Sequence, residues 1–424
     1  THTMPYKLVD DDMRDRLLDT YKTSCRCCNN IHLERCVSLG TSPLANNLVD
    51  SKDEQVIVHP LEMNYCPECH NCQLSVVVPP EEMFDNYLYV SSTSSKFVNH
   101  FEDAAEKYIE EFNLDENSFV IDIGSNDGVA LKPLKERGIK ILGVEPARNL
   151  AEMANANKIP TYNDYFNKDI VGDLVSKYGK ANLVTASNVF AHSDKLKEIA
   201  INAFDVLDEN GVFVVEVQYL LSTLQDLTFD NIYHEHTNYW SVTSINNFFM
   251  LMGLCVYKVE YIDTHGGSIR VYVRRDTDSD RDSSVREFLD REIDYRLDKL
   301  STYKKFGESV YGMKLNIRKN IDKLKQEGLR IAGYAAPAKA TTALNFFGID
   351  SSDIEYIIED NSLKHNKFIP CVNIPIKDKK YCMENLPDVI IVLAWNFFDY
   401  IKEHNQDLVD AGCKFINMND LMER

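Results

Sequence analysis

The chain has 424 residues, a formal net charge of −20 and a sequence pI near 5.0. That length exceeds what one hydrophobic core usually serves, so two or three domains are expected. The acidic balance leaves no surface-wide positive field, which argues against nucleic acid and anionic membrane as partners but not against a local basic pocket for one phosphate ligand.

The chain lacks an apolar run of about 18 residues, and THTMPYKLVDDD lacks the basic-then-apolar layout of a signal peptide, so a soluble cytoplasmic protein is expected. The opening Thr1–Thr3 reads as an expression-tag remnant. Seven of the eleven cysteines fall at or before Cys72. In a reducing compartment, such clustering points to a local metal site rather than to disulfides.

Residues 5–80 combine these cysteines with short β-like runs, VIVHPLEMNYC and CQLSVVV, and end at Pro79-Pro80. They read as a small domain built around metal. The stretch MFDNYLYVSSTSSKF then leads into FVNHFEDAAEKYIEEF, which has helical spacing. Up to residue 275, apolar runs alternate with amphipathic segments: FVIDIG, KILGVEP, NLVTASNV and GVFVVEVQY, then CVYKVEYI and GGSIRVYVR. This predicts a parallel α/β sheet with an antiparallel end over 81–275. Residues 276–328 carry Phe288, Leu289, Ile293, Leu297 and Leu300 among many charges, predicting one or two connecting helices of structural role. Residues 329–424 start again with RIAGYAAPAKATTALNFFGI, IEYIIED, DVIIVLAW and KFINM, a second and smaller α/β unit.

Cys25 pairs with Cys28, and Cys66 with Cys69, as two Cys-x-x-Cys knuckles able to complete a closed tetrahedral thiolate shell, the form of structural zinc. A closed shell leaves no open position, so the zinc is assigned to folding. Cys72 offers a second knuckle with Cys69, and Cys27, Cys36 and His70 are further donors.

In FVIDIGSNDG, an apolar strand runs into Asp122, Gly124, Asn126 and Gly128, with a helix expected from near Val129. Glycine lets such a turn bring backbone N–H groups close to a ligand. Glu145 ends the next strand, placed to accept hydrogen bonds from both ribose hydroxyls of a nucleoside. The loop is not G-x-G-x-x-G and carries Asp127, which disfavours a pyrophosphate cofactor and fits the cationic S-adenosylmethionine. Asn188 and Phe190, and Asp164 and Phe166, close further strands as candidate adenine contacts, with plain packing as the alternative.

Downstream, Tyr233, His234, Glu235 and His236 are consecutive. Four such groups contribute little to a core, and in an extended chain at most two share a face, which disfavours a metal site. Carbon methylation needs a base beside a carbonyl and donors to the enolate oxygen, jobs suited to histidine and tyrosine. His192, His236 and His265 are the imidazoles near strand ends, and Gly266 beside His265 would admit a substrate closely.

The segments CRCC, LGTSPLANNLV, CPECHNCQL, YLYVSSTS, DIGSNDG, GVEPA, SNVFAH, YHEHTNYWS, THGGSIRVY and PAKATTALNF are similar, in order along nearly the whole chain, to the sugar C-methyltransferases of deoxysugar biosynthesis. The resemblance implies an N-terminal zinc domain, a central Rossmann-like methyltransferase domain that uses S-adenosylmethionine, and a C-terminal Rossmann-like domain that helps hold a nucleotide-sugar. It implies that Tyr233, Glu235 and His236 line the sugar site, with His236 the favoured base, joined by His192 and by Tyr87 or Tyr89. The substrate it implies is a nucleotide-linked 4-keto-deoxysugar methylated at C-3, with O- or N-methylation and a non-catalytic binding role as alternatives. A monomer or weak homodimer is expected. The C-terminal loop departs from the family's GYGAxAKG, with Ala335 and Ala340 where glycines stand, while Lys339 is retained as a candidate phosphate partner.

Overall fold

The computed structural model describes residues 21–45, 47–79, 83 and 91–423. Three sheets organise it. Tyr87 and Tyr89 lie outside the described residues.

The first sheet, in spatial order β1 (Glu34–Pro43), β2 (Val58–Tyr65), β3 (Cys72–Leu74) and β9 (Asn238–Tyr239), is antiparallel throughout. Its fourth strand comes from the middle of the chain: Cys72 pairs with Tyr239 and Gln73 with Asn238. The cysteine-rich segment is thus completed by residues that directly follow the Tyr233–His236 run.

The central sheet holds β4 (Phe119–Ile123), β5 (Lys140–Val144), β6 (Thr161–Tyr162), β7 (Ala181–Ser187), β8 (Leu207–Gln218), β10 (Cys255–Ile262) and β11 (Ser268–Arg274), ordered β10-β11-β8-β7-β4-β5-β6. All neighbours pair in parallel except β11, which is antiparallel to both β8 and β10. This is the expected parallel sheet with an antiparallel end, and β4 is buried along its length and β5 in all but Lys140, as suits strands covered on both faces. The order reverses between β4 and β7, and ligands in such sheets bind at the carboxyl ends beside that reversal.

The third sheet contains β12 (Ile331–Tyr334), β13 (Ile357–Ile358), β14 (Phe368–Ile369), β15 (Ile374–Lys377), β16 (Val389–Val392) and β17 (Lys414–Asn417), ordered β14-β15-β13-β12-β16-β17. Only β14 is antiparallel to its neighbour.

Two helices, Ser283–Asp294 and Leu300–Gln326, connect the second and third sheets. The first has a specific task. Its buried Glu292 accepts from the backbone N–H groups of Val242 and Thr243, 2.8 Å each, and from the Tyr219 hydroxyl at 2.6 Å, which caps the helix Val242–Leu251. The second buries Tyr303, Phe306, Val310, Met313, Ile317 and Ile321, a stripe at helical spacing that packs on β1. Of the apolar residues at helical spacing here, Phe288 and Leu297 are buried and Ile293, two residues before the C-cap Tyr295, is exposed. No helix among the described residues is long and apolar enough to cross a membrane.

Candidate active site and metal centre

The Sγ atoms of Cys25, Cys28, Cys66 and Cys69 lie within 4.8 Å of one another, with Cys25 and Cys69 3.5 Å apart and Cys28 and Cys66 3.6 Å apart. A tetrahedral shell with Zn–S bonds of about 2.3 Å places sulfurs about 3.8 Å apart, so the donor set fits zinc. The two knuckles have one shape. Cys25 O accepts from Asn29 N, and Cys66 O from His70 N, at 2.8 and 2.9 Å, and both Asn29 and His70 adopt φ 64. Cys27, Cys36 and Cys72 are buried but outside the shell; the Cys36 thiol donates to Met63 O at 3.2 Å. His70 turns to the Tyr65 hydroxyl at 2.6 Å.

A cleft of about 560 Å³ opens at the carboxyl ends of the central strands, within the range of roughly 300–1,000 Å³ usual for ligand sites. Asp122, Gly124, Asn126, Glu145, Phe166 and Asn188 line it. Glu145 is held at the end of β5 by N–H groups from Asn126 to Oε1 (2.9 Å) and from Ala147 to Oε2 (2.8 Å). Each oxygen keeps a lone pair that can accept a further hydrogen bond. Burial raises the Glu145 pKa against these two bonds. Burial also pushes Asp122 up to about 7, although the Thr185 hydroxyl donates to its Oδ1 at 2.6 Å.

The glycines make the sharp turn expected of them. Gly124 has φ 66, and a Cβ there would stand 2.2 Å from Val189 Cγ1; at Gly128, φ 90, it would stand 2.6 Å from Ile159 Cδ1. The left-handed turn and these close protein neighbours both call for glycine. The helix after this loop starts at Lys132, later than expected, and the intervening Val129 and Ala130 line the cleft.

Three other expected contacts go elsewhere. Phe190, 1% exposed, is stacked between Trp240 and Phe249 at 5.7 Å each and belongs to the core. Asp164 accepts from Tyr165 N at 2.8 Å and does not line the cleft, whereas Phe166 does. Gly266 is likewise absent from the lining.

The Tyr233–His236 run is a turn. His236 N donates to Tyr233 O at 2.9 Å, so positions three apart meet, which the extended reading of this run did not foresee. The Tyr233 hydroxyl lies 3.0 Å from His236 Nε2, and His236 Nδ1 lies 3.2 Å from Asn231 O. A carbonyl only accepts, so Nδ1 carries the proton and Nε2 is the basic nitrogen. His192 stacks on His236 with ring centroids 4.6 Å apart. Burial pulls His192 down to about 4 and His265 to about 3; it holds His236 well below 6.5, with the His192 and Lys339 charges acting in the same direction. All three line the cleft with Tyr233, whose pKa burial drives well above 10.

Glu235 is buried outside the cleft lining, and His234 turns away, its Nε2 3.0 Å from Pro60 O. Lys339 does not line the cleft either: Nζ donates to Asn231 Oδ1, on the residue whose carbonyl orients His236. Ala335, one of the two alanines in that C-terminal loop, takes φ 71, a left-handed conformation that favours glycine.

Several side chains escaped the sequence reading. Phe97 and Phe101 reach the cleft from the helix Ser95–Phe112, capped by Ser94, and Phe97 lies 4.9 Å from the His265 ring. Beneath them, Glu216 binds Arg270 at 2.6 Å and His100 at 2.8 Å. Burial alone would raise the Glu216 pKa, but His100 and Arg270 hold it down.

The chain is 31% identical over 395 residues to the C-methyltransferase NovU of Streptomyces niveus, covering 92% of this chain and 94% of that one. It belongs to this C-methyltransferase family. The C-methyltransferase matches three family models in order: a zinc binding domain at 25–84, a methyltransferase domain at 98–259 and a C-methyltransferase C-terminal domain at 263–418. Among solved structures it is similar to magnesium protoporphyrin IX methyltransferase of Synechocystis PCC 6803 with bound SAH (TM-score 0.33, 14% identity, 42% of this chain and 83% of that one). It is also similar to an S-adenosylmethionine-dependent methyltransferase of Clostridium acetobutylicum (TM-score 0.35, 14% identity, 42% and 91%). The C-methyltransferase is thus an α/β enzyme with a structural zinc centre and S-adenosylmethionine as its cofactor.

Proposed function

We propose that this enzyme methylates C-3 of a nucleotide-linked 4-keto-deoxysugar, through an enolate formed by His236. The observation that carries this reading is the neutral His236 Nε2, facing the cleft with the Tyr233 hydroxyl at 3.0 Å.

When bound, S-adenosylmethionine supplies the methyl group, which passes to carbon and leaves S-adenosylhomocysteine. Asp122 and Glu145, which line the cleft, would hold the cofactor, Glu145 through the ribose hydroxyls. Asn231 O keeps Nδ1 of His236 protonated, so Nε2 faces the substrate as a base. The ketone oxygen draws the Tyr233 proton away from Nε2, which bares that nitrogen for the hydrogen on C-3. As the proton moves to His236, Tyr233 donates to the growing enolate oxygen; its raised pKa keeps it protonated for that task. His192, stacked alongside, lowers the pKa of His236, so one imidazolium forms and not two.

Tyr87 or Tyr89 would complete the sugar site and His265 its substrate side, with Lys339 acting from outside the cleft through Asn231 and Glu235 lowering the acidity of Tyr233 from behind. The work divides among residues 5–80, 81–275 and 329–424, joined by 276–328. A four-cysteine metal shell suits the reducing cytoplasm.

The test is product analysis. Incubation with S-adenosylmethionine and a panel of nucleotide-linked 4-keto-6-deoxysugars should give a methyl group whose NMR correlations place it on carbon. Methyl transfer to oxygen or nitrogen, or to a sugar without the ketone, would overturn the reading.

A further inference from the structure

We propose that Arg26, inside the first cysteine knuckle, is a positioning residue that sets the separation of the His192 and His236 segments. The inference rests on reading those histidines as the reacting pair.

The two segments are joined at Thr237. Its N–H donates to Ala191 O at 2.7 Å, and its hydroxyl lies 3.1 Å from Ala191 O and 2.9 Å from Ser193 O. These bonds bracket His192 on one side and follow His236 on the other. Arg26 closes the frame from outside. Nη1 donates to Thr237 O at 2.5 Å and lies 3.3 Å from Asn238 Oδ1, while Nη2 donates to Asp194 Oδ1 at 3.1 Å. One guanidinium thus grips both histidine-bearing segments, each at a residue or two beyond its histidine.

The grip is rigid because its root is. The Arg26 side chain is 4% exposed. Its backbone N–H donates to Gln73 Oε1 at 3.0 Å, and Gln73 Nε2 donates to Ser24 O at 2.9 Å. Gln73 lies on β3, paired with Asn238 of β9. From the second knuckle, Asn71 and Asn238 exchange amide hydrogen bonds of 2.7 and 3.0 Å. Both knuckles therefore end on the strand that leaves the reacting turn. Lysine has a single point charge and cannot span Thr237 and Asp194 as a planar fork does.

The test compares Arg26→Gln, Arg26→Lys and Asp194→Asn with the wild type. Metal content, S-adenosylmethionine affinity, kcat, solvent exchange at the substrate carbon and crystal structures of the variants are the readouts. We expect retained zinc and cofactor affinity, with kcat and exchange reduced roughly 10–100-fold, since misplacement by about 1 Å can cost 10²-fold. Arg26→Lys should recover part of the loss, and the His192–His236 ring separation in Arg26→Gln should depart from 4.6 Å. Wild-type turnover in Arg26→Gln with zinc retained, or an unchanged ring separation, overturns the proposal. If Arg26→Gln loses zinc or folding, Asp194→Asn, which lies outside the knuckle, decides: unchanged kcat overturns it. Absence of exchange by the wild type on every keto-sugar would sink the functional reading, whereas the ring separation still decides the clamp.

Discussion

The carbonyl of Asn231 lies 3.2 Å from Nδ1 of His236, while the Asn231 side chain receives the ammonium of Lys339 from the C-terminal unit. One residue thus fixes the tautomer of the proposed base and ties it to the first turn of the helix Ala338–Phe347, more than a hundred residues away. The buried cation also disfavours protonation of His236, which keeps its imidazole neutral.

Tyr233→Phe removes the proposed donor to the enolate oxygen while keeping the aromatic ring in the cleft lining. Loss of one such donor typically lowers turnover about 10²–10³-fold. Steady-state kinetics should show that fall in kcat, and calorimetric titration should show unchanged S-adenosylmethionine affinity. A lower cofactor affinity with unchanged kcat would assign Tyr233 to binding instead.

Burial holds His192 at about 4 and His236 well below its usual range, against 6.5 in the unfolded chain. Between about pH 4 and 6.5 the unfolded state therefore binds more protons, so stability rises with pH across that window and falls as pH drops through it. The base is deprotonated well below neutrality, so the acid limb of kcat/KM for this step should lie below 6.5. Melting curves and a pH–rate profile check both; an acid limb above 6.5 assigned to His236 would contradict the buried, neutral pair.

Asp122 is pushed up to about 7, so near neutrality a good share of it is protonated. A bound sulfonium favours the carboxylate, which means that binding releases protons and that S-adenosylmethionine affinity rises from pH 6 to pH 8. Calorimetry in buffers of different ionisation enthalpy measures the proton count. Asp122→Asn should abolish it; equal proton release in that variant would locate the titrating group elsewhere.

Cys66→Ser should lose the metal and lower the melting temperature, because removal of a ligand from a closed shell costs folding energy. Cys36→Ser should retain zinc at the wild-type stoichiometry, since Cys36 lies outside the shell. Chelation of the wild type should also impair turnover, because β9 leaves the reacting turn as a strand of the zinc sheet. Metal analysis that finds Cys36→Ser depleted would redraw the ligand set.

The parts legible in the sequence were those written in local periodicity or spacing. The strand ends at Asp122 and Glu145, the two knuckles and the final α/β unit all follow from contiguous residues. The parts that were not legible depend on contacts across the chain. Arg26 meets Thr237 across 211 positions, and Glu292 caps a helix whose first turn is 49 and 50 residues earlier. Phe166 and Phe190 follow strands in the same way, yet only the first faces the cleft, because backbone direction after the strand decides the matter. The Tyr233–His236 turn hid for a related reason: side chains three apart meet only if the backbone bends.

The most direct test of the account follows hydrogen–deuterium exchange at the carbon beside the ketone of a 4-keto-deoxysugar nucleotide in deuterated water, for the wild type and for His236→Asn. Exchange by the wild type that falls at least about 10²-fold in His236→Asn, with S-adenosylmethionine still bound, is the predicted result. Exchange that persists in His236→Asn at the wild-type rate would contradict the assignment of the base.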